Sequence, residues 1–244
     1  MNEQQSSLPT AAIYEQEYIY WPWGRLVEWV ASWVEANAPS NALIVDYMCG
    51  TGFLLNEIAK RRRDLSVCGC SITPSFIEWA RERYEHINVV LEDAFEFDPP
   101  ADADVILCTA GLHHLPYERQ ALFLDKVLSE LRRDGRFLIG EEVIAADESG
   151  AARQAAVLDL WFSLMHYAVQ REAPDGVLQA AIDVMKADLC ADGEYKRSRV
   201  AIEDMLRRRF RIIDYAQTWP DGATDYGDGV WVCAPRSMGG GTAT

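Results

Sequence analysis

Two rhythms of apolar positions alternate along the first half of the chain. Short continuous runs, Ala42 to Asp46, Leu65 to Cys70, Ile87 to Leu91 and Asp104 to Thr109, have the length and density of buried strands. Between them lie segments of helical period. Gly52 to Arg63 places Leu55, Ile58 and Ala59 on one face, Pro74 to Tyr84 starts at a Thr73 cap, and Tyr117 to Leu131 carries Leu122, Phe123, Val127 and Leu131. Asp134-Gly135 predicts a turn before a fifth strand from Arg136 to Gly140. Strands separated by single helices pair in parallel through right-handed crossovers, so the pattern predicts an α/β, doubly wound, mostly parallel sheet.

Both flanks depart from this rhythm. Residues 1 to about 12 are polar and are expected to be mobile; the next stretch is crowded with Tyr14, Tyr18, Tyr20, Trp21 and Trp23. Pro22 then suits a helix start, with Leu26, Trp29, Val30, Trp33 and Val34 at helical spacing. After Glu142 only Val143-Ile144 prolongs a strand. Ala152 to Gln170 and Gly176 to Leu189 read as helices broken at Pro174-Asp175-Gly176. A Ser198-capped helix through Phe210 and two strands, Ile212 to Thr218 and Gly229 to Cys233, bring the sheet to seven. The implied division is an aromatic N-terminal segment (1–40), a core (41–142), a helical cap inserted after the fifth strand (143–197), closing elements (198–236) and a disordered Gly- and Thr-rich tail (237–244).

The 244 residues carry a formal charge of −15, which repels phosphate backbones and argues against a nucleic-acid partner. The runs Arg61–Arg63 and Arg207–Arg209 read as solvated helix faces. No apolar run reaches membrane-spanning length. Six scattered cysteines lack metal-site spacing, and no basic and apolar leader is visible, so a cytoplasmic protein with reduced thiols is expected.

The candidate chemistry lies where strands end, since ligands in open α/β sheets sit beyond their carboxyl ends. IVDYMCGTGFLL joins a buried strand to a helix through Gly50 and Gly52, which admit a ligand close to the backbone. Asp46 ends the strand as a carboxylate able to meet an ammonium or anchor loop amides. With Glu92-Asp93-Ala94, Leu112-His113-His114-Leu115-Pro116 and Leu131-Arg132-Arg133-Asp134-Gly135-Arg136 in order, the loop resembles the class I S-adenosylmethionine (SAM)-dependent methyltransferases over roughly residues 40 to 142.

The resemblance implies SAM as cosubstrate, held by Asp46, Tyr47, Met48, Cys49, Gly50, Gly52, Ser71, Ile72, Asp93, Ala94, Thr109 and Tyr14. Asp93 would bond the adenine amine and the Ala94 amide a ring nitrogen. Two positions depart from the common pattern. Met48 stands where a glycine is usual, so its side chain must press on the methionine half of SAM or turn away. Ser71 replaces a carboxylate that grips both ribose hydroxyls. An NAD fingerprint would also want an acid there, which disfavours a dehydrogenase.

Tyr18, His113, Glu141 and Tyr167 are the catalytic candidates, with Glu142 beside Glu141, and with Trp161, Phe162 and His166 as further cap residues that could surround a sulfonium or an acceptor. The implied activity is methyl transfer to a small molecule in bacterial secondary metabolism. Two alternatives stand beside it. One is a SAM-consuming cyclase similar to azetidine-2-carboxylate synthases, releasing methylthioadenosine. The other is a SAM-binding partner without turnover. A small-molecule substrate is expected, with neither nucleic acid nor membrane as partner; a homodimer is compatible with the sequence, which leaves the oligomeric state open.

Overall fold

The computed structural model describes residues 9–146 and 150–236. The polar segment before residue 9 and the tail expected from 237 lie outside the described residues. Helices α1 (Ala11–Tyr20) and α2 (Trp23–Asn37) precede β1 (Leu43–Tyr47), α3 (Phe53–Arg61), β2 (Ser66–Ser71), α4 (Pro74–Arg83), β3 (Asn88–Leu91) and β4 (Ala103–Thr109). Then follow α5 (Tyr117–Glu130), β5 (Leu131–Val143), α6 (Ala151–Gln170), α7 (Asp175–Cys190), α8 (Arg199–Arg207), β6 (Phe210–Trp219) and β7 (Gly227–Pro235).

The seven strands form one sheet in the order β3-β2-β1-β4-β5-β7-β6, with β7 antiparallel to both neighbours and the β1 to β5 pairings parallel. The expected doubly wound architecture is therefore present, with its helical insertion after β5. The sheet switches direction between β1 and β4, which places the crevice at the carboxyl ends of those strands.

Alternation along the strands sorts the core into two layers. Ile44, Val105, Leu107, Leu138, Val230 and Val232 face α2, α3 and the cap, whose Leu26, Leu55 and Leu160 are fully buried. Val45, Ile106, Phe137, Ile139 and Trp231 face α5 and α8 through Phe123, Val127 and Leu206. Each fully buried aliphatic side chain contributes about 1.5–3 kcal/mol. Gly140 lets α2 approach, since a Cβ there would stand 2.8 Å from Leu26.

Several boundaries differ from the sequence reading. Helix starts at Ala11, because Thr10 caps it through the Ile13 amide, so the mobile expectation fails for residues 11 and 12. Thr73 makes no side-chain cap, and Pro74 alone fixes the start of α4. The Asp134-Gly135 turn is a bulge inside β5: β4 partners jump from Leu131 to Arg136 while β4 itself advances only from Ala103 to Val105. Ser198 caps α8 as expected, but that helix stops at Arg207 and Phe210 opens β6.

The arginine runs are engaged rather than merely solvated. Arg61 pairs with Glu28, Arg62 with Asp64, Arg207 with Glu203 and Arg209 with Asp125. All six cysteines are free, with only Cys190 exposed. No helix among the described residues is long and apolar enough to cross a membrane.

Candidate functional site

The turn after β1 is built by backbone that only some residues tolerate. Met48, Gly50 and Gly52 have φ of 58°, 56° and 74°, all in the left-handed region. The Cys49 amide bonds the Cys70 carbonyl at 2.9 Å, and Gly69 of β2 leaves the room, since a Cβ there would lie 2.5 Å from the Asp46 carbonyl oxygen. Gly69 belongs to the loop's support, yet nothing in its sequence context marked it out.

Asp46 is 1% exposed, and its Oδ1 has no hydrogen-bond partner among the described residues. Burial alone pushes its carboxyl up to about 7. The Thr51 hydroxyl, one turn further on, is equally buried and unpartnered. Such groups are costly unless a ligand satisfies them.

The bulky loop residues do not crowd this space. Tyr47 is fully buried in the opposite layer, edge-on to Phe97 and Phe123, with its hydroxyl donating to Glu130. Its side chain is core, because strand alternation from Asp46 sends it through the sheet, so only the Tyr47 backbone is left to the loop cradle. Met48 turns away as well: a Cβ on Gly111 would stand 3.0 Å from the Met48 methyl and 3.0 Å from the Cys108 sulfur. Met48 thus fills the gap over a glycine in the loop after β4. Gly52 points elsewhere too, its missing Cβ lying 2.6 Å from Ile87, so it serves packing between α3 and β3.

Helix α1 closes over the cradle. A Cβ at Gly50 would lie 3.2 Å from the Tyr14 ring, which also packs on Phe76 at 4.9 Å. Tyr18 stacks on Phe53 at 4.2 Å between centroids and meets Tyr14 edge-on. Burial pushes both tyrosine hydroxyls well up. Glu15 latches the helix down, accepting from Trp79 Nε1 at 2.8 Å and Tyr84 Oη at 2.6 Å. The sequence reading missed this latch, because Glu15 looks like any exposed helix residue.

At the ends of β2, β3 and β4 the expected positions surround the same crevice. The buried Ser71 hydroxyl accepts from the Thr73 amide at 3.4 Å. Ile72 beside it is bare, at 68% exposed. Asp93 Oδ1 caps its own turn through the Phe95 amide at 2.8 Å, Ala94 is buried, and Thr109 ends β4 on the Asp46 face.

Two of the four catalytic candidates are committed elsewhere. Glu141, 1% exposed, accepts from the Gly111 and Leu112 amides with Oε1, and its Oε2 lies 2.6 Å from His113 Nδ1. Burial works against an imidazolium at His113, but the Glu141 and Glu194 carboxylates outweigh it and raise its pKa. Glu194 lies 3.6 Å from His113 and 3.3 Å from His114, and pairs with buried Lys196 at 2.7 Å. Lys196 also meets Asp188 at 3.1 Å, and Asp188 pairs with Arg153 of α6 at 2.8 Å. The pair His113–Glu141 is thus one end of a buried network tying the cap to the loop after β4. Both side chains make structural contacts there.

The cap aromatics divide. Trp161 is buried, edge-on to Trp21, with Nε1 donating to Asp188. Phe162, His166 and Tyr167 line a separate outer depression with Trp219 and Tyr226. Tyr167 lies under the Arg171 guanidinium there, which removes it from the loop cradle.

Two carboxylates that sequence reasoning missed stand on the crevice face. Asp228 is 1% exposed with neither oxygen partnered among the described residues, and it lies directly opposite Glu142 across β5 and β7. Glu17 of α1 faces Glu142; burial first, and that charge second, push its carboxyl up to about 8. Asp228 did carry a signal: it shares the face of Val230 and Val232, an acid in an otherwise apolar stripe.

A profile for a methyltransferase domain matches residues 44–135. The carboxy-S-adenosyl-L-methionine synthase of Campylobacter fetus is 26% identical over 169 residues, covering 66% of this chain and 72% of that protein. The trans-aconitate 2-methyltransferase of Rhodococcus jostii is 31% identical over 99 residues, covering 41% of this chain and 37% of that one. This chain therefore spans only about a third of the second relative's length. The plantazolicin methyltransferase BpumL superimposes with a TM-score of 0.62 at 14% identity, covering 92% of this chain and 90% of that one, which shows a shared fold. The glycine cradle, the strand order and the profile match over residues 44–135 are together those of a class I SAM-dependent methyltransferase domain.

Proposed function

We propose that this protein is a SAM-dependent methyltransferase acting on a small-molecule acceptor. The observation that carries the reading is Asp46: a buried carboxylate with an unpartnered oxygen at the end of β1, beside a left-handed glycine cradle. SAM brings an ammonium to such a carboxylate, and its sulfonium supplies an activated methyl group. Gly50 leaves room for the ligand's approach, Asp93 keeps one oxygen beyond its turn bond for the adenine amine, and bare Ile72 offers an apolar face to the ring. Ser71 gives the ribose one hydroxyl. Tyr14 and Tyr18 supply aromatic faces over the cradle, which favour a cation and exclude water. Tyr14 rests on the cradle itself, so α1 yields when ligand enters.

The test is calorimetry of SAM and S-adenosylhomocysteine with wild type and Asp46→Asn, followed by product analysis. We expect SAM to bind and the variant to lose at least tenfold in affinity. S-adenosylhomocysteine formed only with an acceptor supports methyl transfer; methylthioadenosine formed from SAM alone would replace it with cyclisation. A wild-type chain that does not bind SAM sinks the reading.

A further inference from the structure

We propose that the acceptor carries a cationic amine and is held between Glu17, Glu142 and Asp228. The inference rests on the SAM-dependent reading and names the substrate class of that site.

The three carboxylates come from separate elements and converge on one face. Glu142 and Asp228 are directly opposed residues of antiparallel strands, so their side chains stand side by side on the same face of the sheet. That face is the one on which Asp46 ends β1, as Leu138, Val230 and Val232 in the same layer as Ile44 show. Glu17 lies on α1, the helix that also presses Tyr14 on Gly50, close enough to Glu142 for that charge to act on it. The cluster therefore adjoins the cofactor cradle on the acceptor side, under the same lid.

Charge accounting leaves the cluster short of cations. Lys196 lies 3.5 Å from Glu142 but is shared with Glu194 and Asp188. Arg25, the other cation felt by Asp228, is bonded to Asp221 at 2.6 Å. Among the described residues no cation lies in ion-pair reach of Glu17 or Asp228. Burial, with Glu142 and Glu141 adding to it, raises the Asp228 carboxyl well above its usual range. A sheet residue with both oxygens buried and unpartnered costs stability unless a ligand completes it. A protonated amine does so, favouring the ionised carboxylates that burial otherwise disfavours; a carboxylate-bearing acceptor would find no counter-charge there. Trp21 and Trp161, edge-on at 5.6 Å in the same layer, make the adjoining surface aromatic, which also suits a cation.

The probes are benzylamine, benzyl alcohol and benzoate, titrated into the full chain saturated with S-adenosylhomocysteine. Benzylamine should bind at least tenfold tighter than the alcohol, and benzoate more weakly than either. Asp228→Asn should erase the amine preference, leave S-adenosylhomocysteine affinity within twofold, and raise the melting temperature of the ligand-free protein. A merely structural Asp228 would lower it instead. Glu17→Gln, on a half-buried helix position, gives a second variant with the same expected loss of preference. Equal affinity for amine and alcohol, or no amine binding to a chain that binds S-adenosylhomocysteine, overturns the proposal. So does an Asp228→Asn that weakens SAM but not S-adenosylhomocysteine, which would give the cluster to the sulfonium. Failure of S-adenosylhomocysteine itself to bind would instead remove the underlying functional reading.

Discussion

Glu141 holds His113 Nδ1 at 2.6 Å with one oxygen and two successive backbone amides, of Gly111 and Leu112, with the other. One buried carboxylate thereby fixes the whole loop after β4. Glu141→Ala leaves two amides and an imidazole without their partner, and breaking a buried pair of this kind costs about 3–5 kcal/mol. Urea denaturation should show that loss. Wild-type stability with abolished turnover would return Glu141 to the catalytic list.

Asp46 makes the ligand-free protein pH-sensitive. Its folded pKa of about 7 lies above the ordinary 3.8, so the folded state binds the proton more tightly. Stability from this group is full below the ordinary value and is lost as pH rises toward the folded one. Glu17, raised to about 8, acts in the same direction. The melting temperature of the ligand-free chain should fall between about pH 4 and 8 by an amount worth up to about 4 kcal/mol from Asp46 alone. Asp46→Asn should flatten that slope and raise the value at pH 8. An unchanged slope in the variant would show that the carboxylate is already satisfied.

Gly50 and Gly52 should respond differently to the same substitution. Gly50→Ala strains a φ of 56° by about 1–2 kcal/mol and pushes on the Tyr14 ring, so SAM affinity should fall. Gly52→Ala meets Ile87 at 2.6 Å and should chiefly lower stability. Adding Ile87→Ala should remove that contact and recover part of the stability in the Gly52 variant, the strain of a φ of 74° remaining, but not binding in the Gly50 one. Thermal melts and calorimetry on the four proteins decide this. Recovery of neither quantity would mean that the two glycines serve one role.

The Glu15 latch should govern ligand exchange. Glu15→Ala releases Trp79 and Tyr84 from α1, removing two hydrogen bonds worth about 1.5–3 kcal/mol each to a charged acceptor. Stopped-flow fluorescence should show faster SAM dissociation by tenfold or more. Rates equal to wild type would mean that α1 stays seated without the latch.

The doubly wound core was legible because its signals are local: apolar runs, glycine turns and proline starts read off consecutive residues. The cradle was legible for the same reason. What failed to show was anything requiring two distant segments to meet. Tyr47 looked like a loop residue because its burial depends on Phe97 and Phe123, fifty and seventy-six positions away. His113 and Glu141 both sit at strand ends and invited a catalytic reading, but only their mutual contact shows that each occupies the other. Asp228 illustrates the converse. Its stripe with Val230 and Val232 marked it, yet the opposing Glu142 is known only from register.

The buried chain from His113 through Glu194, Lys196 and Asp188 to Arg153 rivets α6 and α7 to the sheet. A wall riveted in this way cannot swing. The element over the cradle that lies outside this network is α1, held by Glu15 and joined to α2 through Trp21 and Pro22, so opening of the crevice would cost two side-chain hydrogen bonds there and a whole ion network on the cap side.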